Sequence, residues 1–173
     1  MILLICGSLR AGSGNAAVLT TAGRFAESKI YTGLADLPHF NPDEDVEPLH
    51  PAVAALRAEI AAADAVLICT PEYAGGLPGS FKNLLDWTVG GGEVYGKPVA
   101  WINAASVAAP TGAADAHDSL RKVLTYAGAR IVDEACARIP VPRHAVAEGE
   151  VTDPDLRGRI AVAVRRLLEG AKA

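Results

Sequence analysis

Two short glycine-rich loops each lie between a run of apolar residues and a helical pattern, and this arrangement constrains the fold most. The first loop spans residues 7–15, after the apolar run 2–6, and the second spans residues 71–83, after the run 65–70. Such runs are typical of strands buried on both faces of a parallel sheet. In a sheet with the strand order 2-1-3-4-5, the first and third strands flank the point where a ligand binds. Both loops are therefore expected to face one ligand.

Strand and helix patterns alternate along the rest of the chain, which predicts an α/β fold of parallel β-α-β units. The predicted strands are residues 2–6, 29–31, 65–70, 98–103 and 130–135, and the predicted helices are 15–27, 52–63, 79–88, 114–127 and 155–169. At 173 residues the chain can bury one sizeable core but is too short for a second domain of ordinary size. A single domain over residues 1–173 is expected, with five parallel strands and helices on both faces.

The first loop has the chemistry of an anion-binding site. Its glycines let the backbone approach a ligand closely, and the N–H groups at the start of the next helix carry a partial positive charge. Ser8, Ser13 and Asn15 add hydroxyl and amide donors, and Arg10 adds a cation suited to a two-point contact with a phosphate. A phosphate is the expected guest, although Ser13 by itself fits equally well as the cap of the helix near Asn15.

Two other phosphate-binding motifs fit this loop only in part. Residues 7–12 have the glycine spacing of a P-loop, but Ser13 and Gly14 stand where that motif needs Lys and then Ser or Thr, which argues against hydrolysis of nucleotide triphosphates. Residues 12–17 fit the dinucleotide pattern G-x-G-x-x-A, with Asp36 at a plausible spacing for a ribose contact. That pattern normally follows its strand directly, and here it does not, so this signal is weak.

The second loop carries little charge and is rich in glycine and proline. Its backbone N–H and C=O groups suit the rim of a planar heterocycle, and Tyr73 can stack on such a plane. Pro71 and Pro78 restrict the loop, and Pro78 suits the first turn of the next helix. Glu72 fits either a catalytic group or a carboxylate that holds its own loop. The alternative for the whole segment is a simple turn before a buried helix containing Trp87.

Several short motifs occur in order across nearly the whole chain. They are Gly-Ser-Leu-Arg at 7–10 with Ser13 and Asn15 after it, Thr-Pro-Glu-Tyr at 70–73, Gly-Leu-Pro-Gly at 76–79, Lys-Asn at 82–83, Asp-Trp at 86–87 and Gly-Lys-Pro at 96–98. In this order they resemble the NADPH-dependent FMN reductase family of flavodoxin-like proteins. The resemblance implies a flavodoxin-like three-layer sandwich that binds FMN without a covalent bond.

The resemblance also implies where the cofactor lies. The FMN phosphate is expected in the first loop, at Ser8, Arg10, Ser13 and Asn15. The isoalloxazine ring is expected to lie against the second loop, at Pro71, Glu72, Tyr73, Ala74, Gly75 and Gly76. A third ligand-facing loop, residues 103–112, follows the fourth strand and is expected to contribute Ser106. Many family members have Asn where this chain has Ala74, so one polar contact near the ring is expected to be lost.

The implied activity is NAD(P)H-dependent FMN reduction, in which hydride passes from NADPH or NADH to FMN and electrons then pass to free flavin, a quinone or a similar small acceptor. This chemistry belongs to the cofactors, so the protein has to position two rings and exclude water, and neither a catalytic residue nor a metal is expected. One alternative is a flavodoxin-like electron carrier with no NAD(P)H activity of its own. Arg10 favours the enzyme, since dedicated carriers usually have a phosphate loop without arginine. Ala74 alone favours a relative that has lost flavin.

The remaining features concern partners and compartment. With 16 basic and 20 acidic residues and no long basic run, the chain does not indicate a nucleic-acid surface. No apolar run is long enough to cross a bilayer, and the first six residues are too short for a signal peptide. The three cysteines, at positions 6, 69 and 136, are interpreted as small core residues in a reducing cytoplasm.

Two expectations concern the helices. His117, on the fourth helix, and His144, in a late loop, are expected to face solvent rather than act as general acids. Asp86 and Trp87 on the third helix are expected to form a subunit contact, because relatives associate as dimers or tetramers through this region.

Overall fold

Strands and helices alternate in the structure, a computed structural model that describes residues 1–107 and 109–173. The strands are β1 (Ile2–Cys6), β2 (Ser28–Tyr31), β3 (Ala65–Cys69), β4 (Pro98–Asn103), β5 (Arg130–Ile131), β6 (Ala137–Arg138), β7 (Val146–Ala147) and β8 (Glu150–Val151). The helices are α1 (Gly14–Ala22), α2 (Pro51–Ala62), α3 (Gly79–Trp87), α4 (Ala114–Tyr126) and α5 (Pro154–Ala171).

The parallel sheet has the order β2-β1-β3-β4-β5, which confirms the predicted topology. β1 and β3 pair residue by residue up to Cys6 opposite Cys69, so both strands end at the same level. Directly after them, the Gly7 N–H donates to the Cys69 carbonyl at 2.9 Å. A Cβ on Gly7 would lie 2.1 Å from Oγ1 of Thr70, so only glycine fits at this close approach. The two glycine-rich loops therefore leave the sheet side by side.

Helices cover both faces of the sheet, as predicted. α1 and α5 pack on one face, and α2, α3 and α4 pack on the other. Within β1, the side chain of Leu4 belongs to the first hydrophobic cluster and that of Leu3 to the second. Burial on both faces explains why β1, β3 and β4 form nearly continuous apolar runs in the sequence.

Most helix ends lie close to their predicted positions, and α1 is the exception. It ends at Ala22 rather than at residue 27. Gly23 has low helix propensity, and its N–H donates to carbonyls of the last turn, which closes the helix there. Among the described residues, no helix has both the length and the apolar character that crossing a membrane requires.

The fifth strand is broken in two, whereas one strand over residues 130–135 is predicted. β5 ends at Ile131, and a 3-10 turn, Asp133–Ala135, separates it from β6. β5 pairs with the start of β4 and β6 with its end. Aspartate is disfavoured in strands, and the Asp133 carboxylate instead accepts a hydrogen bond from Arg121 at 2.6 Å.

A small antiparallel hairpin, β7–β8, was not predicted from the sequence. Its two turn residues, Glu148 and Gly149, have φ values of 50° and 78°, the signs of a type I′ turn. The hairpin is attached to α1, because the Val151 N–H donates to Oγ1 of the buried Thr21 at 2.9 Å. Each strand has only two residues, too few for a periodic signal in the sequence.

Trp87 lies in the core, so the expectation that it forms a subunit contact is wrong. Its side chain is 0% exposed, and its ring meets Phe40 edge to face with the ring centroids 5.0 Å apart. The indole N–H donates to the Pro38 carbonyl at 2.8 Å. α3 turns Trp87 towards the sheet, whereas Asp86 is partly exposed and pairs with Lys82 at 2.5 Å.

Candidate functional site

Two adjoining cavities lie at the carboxyl edge of β1, β3 and β4. The first, of about 270 Å³, is lined by Gly14 and Asn15 of the first loop, Pro71 and Glu72 of the second, and Ser106 with neighbouring residues of the third. The second, of about 390 Å³, shares Gly14 and Ser106 with it. All three predicted loops thus contribute to this pair of neighbouring cavities. Ala108 of the predicted third loop lies outside the described residues.

Hydrogen bonds within the first loop hold its donors in place. The Arg10 N–H donates to Oγ of Ser8 at 3.3 Å, and the Asn15 N–H donates to Oγ of Ser13 at 3.2 Å. Ser13 is 5% exposed and is not among the residues lining either cavity. The structure thus supports the interpretation of Ser13 as the cap of α1, through which it positions Asn15.

The side chain of Asn15 is oriented by a buried cysteine. The Cys69 thiol donates to Oδ1 of Asn15 at 3.2 Å. Burial raises the pKa of the Cys69 thiol well above its usual range, so the thiol keeps its proton and remains a donor. With Oδ1 held by Cys69, the amide NH₂ of Asn15 is the group left to donate to a ligand in the first cavity. Cys69 therefore has a positioning role that its interpretation as a small core residue did not include.

Arg10 is exposed and lines the second cavity. No hydrogen bond or ion pair joins its guanidinium to another described residue. Arg57 shows the contrast, since it is 9% exposed and pairs with the Asp45 carboxylate at 2.7 Å. An arginine without a carboxylate partner, placed beside the start of a helix, is suited to bind an anion from solution.

Residues 73–76 of the second loop form a tight turn. The Tyr73 N–H donates to the Gly76 carbonyl at 3.0 Å, and the Gly76 N–H donates to the Tyr73 carbonyl at 3.1 Å. The central residues, Ala74 and Gly75, have φ values of 51° and 73°, as in a type I′ turn. The Tyr73 side chain is 54% exposed, so its ring is accessible to a planar ligand.

The turn geometry favours Asn over Ala at position 74. Asn tolerates the left-handed conformation, whereas Ala is strained in it. We expect Ala74→Asn to raise the free energy of unfolding of the apo-protein by about 0.5–1 kcal/mol. Ala55→Asn, on the exposed side of α2, is the matched control and should lower it, because Asn is a poorer helix former than Ala. Urea denaturation measures the free energy of unfolding of both variants. If both variants lost the same amount of it, the assignment of strain to Ala74 would be contradicted.

Glu72 ties the second loop to the third loop and to α4. Its carboxylate accepts a hydrogen bond from the Thr111 hydroxyl and another from the Ala116 N–H at 3.0 Å. The hydrogen bond from Thr111, followed by those from backbone N–H groups at the start of α4, lowers the pKa of Glu72. These contacts support the interpretation of Glu72 as a carboxylate that holds the loops together.

The third loop is shaped by Asn103, at the end of β4. Asn103 is 7% exposed, and its amide donates to the Gly112 carbonyl at 2.8 Å. Its Oδ1 accepts a hydrogen bond from the Ala105 N–H at 3.0 Å. The side chain therefore joins the two ends of the loop, and Ala105, Ser106 and Thr111 all border the first cavity.

His117 is buried, so the expectation that it faces solvent is wrong. It is 7% exposed, and its Nδ1–H donates to the Ala113 carbonyl at 2.6 Å. Burial lowers the pKa of His117, which favours the neutral ring. It lies on the same face of α4 as the buried Leu120 and Leu124, at helical spacing. His144 is exposed, as predicted.

Sequence reasoning missed Arg143, which lines the second cavity together with Arg10. It lies after β6, in a short 3-10 turn, Arg143–Ala145. This segment has neither a glycine-rich motif nor a periodic pattern. Only the contacts of residues 139–151 with β4 and α1 bring Arg143 to the site.

Comparisons with known proteins agree with this geometry. The sequence profile of the NADPH-dependent FMN reductases matches residues 1–140. An NAD(P)H-dependent FMN reductase of Pseudomonas aeruginosa is 35% identical over 162 residues, which cover 90% of this chain and 86% of that protein. A quinone reductase of Escherichia coli is 34% identical over 140 residues, which cover 77% of this chain and 73% of that protein.

Solved structures lead to the same family. FerB, a flavoenzyme NAD(P)H:(acceptor) oxidoreductase from Paracoccus denitrificans, is 31% identical, has a TM-score of 0.80 and is covered over 97% of each chain. A flavodoxin mutant from Pseudomonas aeruginosa, 18% identical with a TM-score of 0.58, shares the fold alone. The three-layer flavodoxin-like fold, the matched motifs and these relatives together show that the chain belongs to the NADPH-dependent FMN reductase family.

Proposed function

We propose that the two adjoining cavities hold FMN in an NAD(P)H-dependent FMN and quinone reductase. Arg10 contacts the phosphate from the second cavity, and Asn15 reaches it from the first cavity, beside Gly14, which both cavities share. Ser8 lines neither cavity but is joined to the Arg10 N–H and completes the phosphate contacts, and Ser13 supports Asn15 as the cap of α1. The ring lies against residues 71–76. Ser106, which lines both cavities, lies between the ring and the phosphate. The observation that carries this assignment is the Arg10 guanidinium, which has no partner among the described residues and lies beside the cavity bordered by all three loops.

The chemistry of the cavities fits FMN. The second cavity carries positive charge, which suits a phosphate. The first is bordered mostly by small uncharged residues and prolines, which suits a flat ring. Its ionisable side chain, Glu72, is engaged by Thr111 and the start of α4 rather than directed at a ligand.

FMN, when bound, supplies the redox chemistry by accepting hydride from NADPH or NADH and passing electrons to a small acceptor. The protein holds the cofactor in position. Arg10 and the amide of Asn15 fix the polar end of the cofactor, and the Tyr73–Gly76 turn presents a rigid edge to the ring. Glu72 keeps that edge at a fixed place relative to the third loop. The nicotinamide and then the acceptor would bind at the face of the ring that the second loop leaves uncovered, and no side chain is assigned a proton-transfer role.

Three further features belong to this proposal. The acceptor is a small molecule such as a quinone, which the quinone reductase relative supports. All 173 residues form one FMN-binding domain. The protein works in the cytoplasm, and the unpaired state of all three cysteines supports this compartment. The enzyme associates as a homodimer or homotetramer through a surface other than Trp87. Tyr95 and Tyr126, 80% and 86% exposed, are apolar groups that such an interface would cover.

Anaerobic reduction tests the function. The apo-protein is reconstituted with FMN, mixed with excess NADPH or NADH, and compared with free FMN under the same conditions. We expect rapid bleaching of the visible flavin band only when protein is present, because the site holds the two rings together. A band perturbed by binding but not bleached would identify an electron carrier, and a spectrum identical to that of free FMN would show that the loops bind another ligand.

A further inference from the structure

A second arginine borders the proposed phosphate end of the site. The second cavity is lined by Arg10 and Arg143, by Gly12 and Gly14 of the first loop, and by Ser106 and two valines, and no carboxylate is among these residues. Arg143 is exposed, and within the described part of the chain no hydrogen bond or ion pair engages its side chain. Two arginines at one cavity repel each other, and an anion bound between them would offset that repulsion.

The fold brings Arg143 to this place from two sides. Before it, the Ile139 N–H donates to the Asn103 carbonyl at 2.8 Å and the Val141 N–H to the Ala104 carbonyl at 3.3 Å, so the chain follows the end of β4 to the ligand edge. After it, the β7–β8 hairpin is attached to α1 through Val151 and Thr21. Arg143 is thus anchored both to β4 and to the helix whose start forms the phosphate loop.

We infer that Arg143 is a second phosphate-binding residue, which with Arg10 encloses the 5′-phosphate of FMN and selects the phosphorylated cofactor over riboflavin. The inference rests on the proposed function. A phosphate monoester carries a charge of about −1.5 to −2 at neutral pH, which exceeds what one arginine neutralises. The start of α1 contributes about half a charge, and Arg143 supplies the rest.

The test measures the affinities of FMN and riboflavin for the apo-protein by flavin fluorescence, in the wild type, Arg143→Ala, Arg143→Lys and Arg165→Ala. Arg165 is the control, since it is 67% exposed and lies on α5 in an i,i+4 pair with Glu169. We expect Arg143→Ala to raise the Kd of FMN about tenfold and to change that of riboflavin by less than about twofold. Arg143→Lys should recover part of the loss, because it keeps the charge without the planar fork. Arg165→Ala should match the wild type.

A double variant shows whether both arginines bind one group. If Arg10 and Arg143 share the phosphate, the loss in Arg10→Ala/Arg143→Ala should differ from the product of the single losses by at least about twofold. Thermal unfolding of the apo-variants checks that Arg143→Ala is folded, which its exposed position predicts.

Three results would overturn the inference. Unchanged FMN affinity in Arg143→Ala would remove the residue from the site, and equal losses for FMN and riboflavin would show that it acts through the fold. A fall in kcat/KM for NADPH but not for NADH, with FMN affinity unchanged, would place Arg143 at the phosphate of the nicotinamide cofactor instead. Failure of the wild type to bind FMN would overturn the proposed function itself, before any variant is compared.

Discussion

Replacing Arg10 by alanine is expected to raise the Kd of FMN about 10- to 100-fold, or about 1.5–3 kcal/mol of binding free energy. Its guanidinium has no partner among the described residues, so its whole hydrogen-bonding capacity is available to a ligand. Removing it exposes no buried carboxylate and opens no core cavity, because the side chain is on the surface. The loss should therefore report contact with the phosphate rather than damage to the fold.

Riboflavin, which lacks the phosphate, is the internal control for Arg10→Ala. Its affinity should stay within about twofold of the wild type, because it offers no anion to the guanidinium. Arg10→Lys should fall between the wild type and Arg10→Ala, since lysine keeps the charge but cannot make a two-point contact. The affinity difference should also shrink as salt concentration rises, as screening weakens contacts between accessible charges. If FMN binds Arg10→Ala as tightly as the wild type, the phosphate lies elsewhere.

The sheet and the meeting of its loops could be predicted because each depends on local pattern and one topological rule. The apolar runs that became β1 and β3 are buried on both faces, and such runs are distinctive in sequence. In a parallel sheet their carboxyl ends lie together, so the loops beginning at Gly7 and Pro71 had to meet. For Ser13 the sequence left two interpretations open, a helix cap and a phosphate ligand, and the hydrogen bond from the Asn15 N–H supports the cap.

Side-chain direction on the helices was harder to predict. The indole of Trp87 carries one N–H group and the imidazole of His117 carries two nitrogens, and both residue types occur at surfaces and in cores. Whether each ring is buried depends on its hydrogen-bond partner. The partner of Trp87 lies far away in the sequence, and the partner of His117 lies at the start of its own helix. The Pro38 carbonyl accepts the indole N–H of Trp87, and the Ala113 carbonyl accepts Nδ1–H of His117. With these two N–H groups satisfied, both rings are buried, and Nε2 of His117 is left without a hydrogen-bond partner among the described residues.

Arg143 shows where sequence reasoning had no signal to use. Its position depends on the break between β5 and β6, on two hydrogen bonds to the end of β4, and on a hairpin of two-residue strands. Each of these elements is too short to have a period, and the contacts that fix them join residues far apart in the chain. A cation in such a segment is interpreted from sequence as a solvated surface residue.

Replacing Trp87 by alanine is expected to lower the free energy of unfolding of the apo-protein by about 3–5 kcal/mol, the cost typical of truncating a fully buried large aromatic residue. The side chain is 0% exposed and packs with Phe40 on the α2–α3–α4 face of the sheet. The total stability of a domain is only about 5–15 kcal/mol, so the variant should unfold at much lower urea concentration. Apo-protein is needed because bound FMN would add stability of its own.

Two further variants separate core packing from other roles of Trp87. Tyr73→Ala truncates an aromatic ring that is 54% exposed and should change apo-stability by less than about 0.5 kcal/mol. Trp87→Phe keeps most of the packing and loses the indole donor. The Pro38 carbonyl would still accept the hydrogen bond from Nδ2 of Asn83 at 2.8 Å, so the cost should be only about 1–2 kcal/mol.

If light scattering instead showed that Trp87→Ala dissociates an oligomer while its unfolding free energy stays at the wild-type value, Trp87 would be a subunit contact after all. The structure argues against that result, since a side chain with no exposed surface has nothing to present to a second chain.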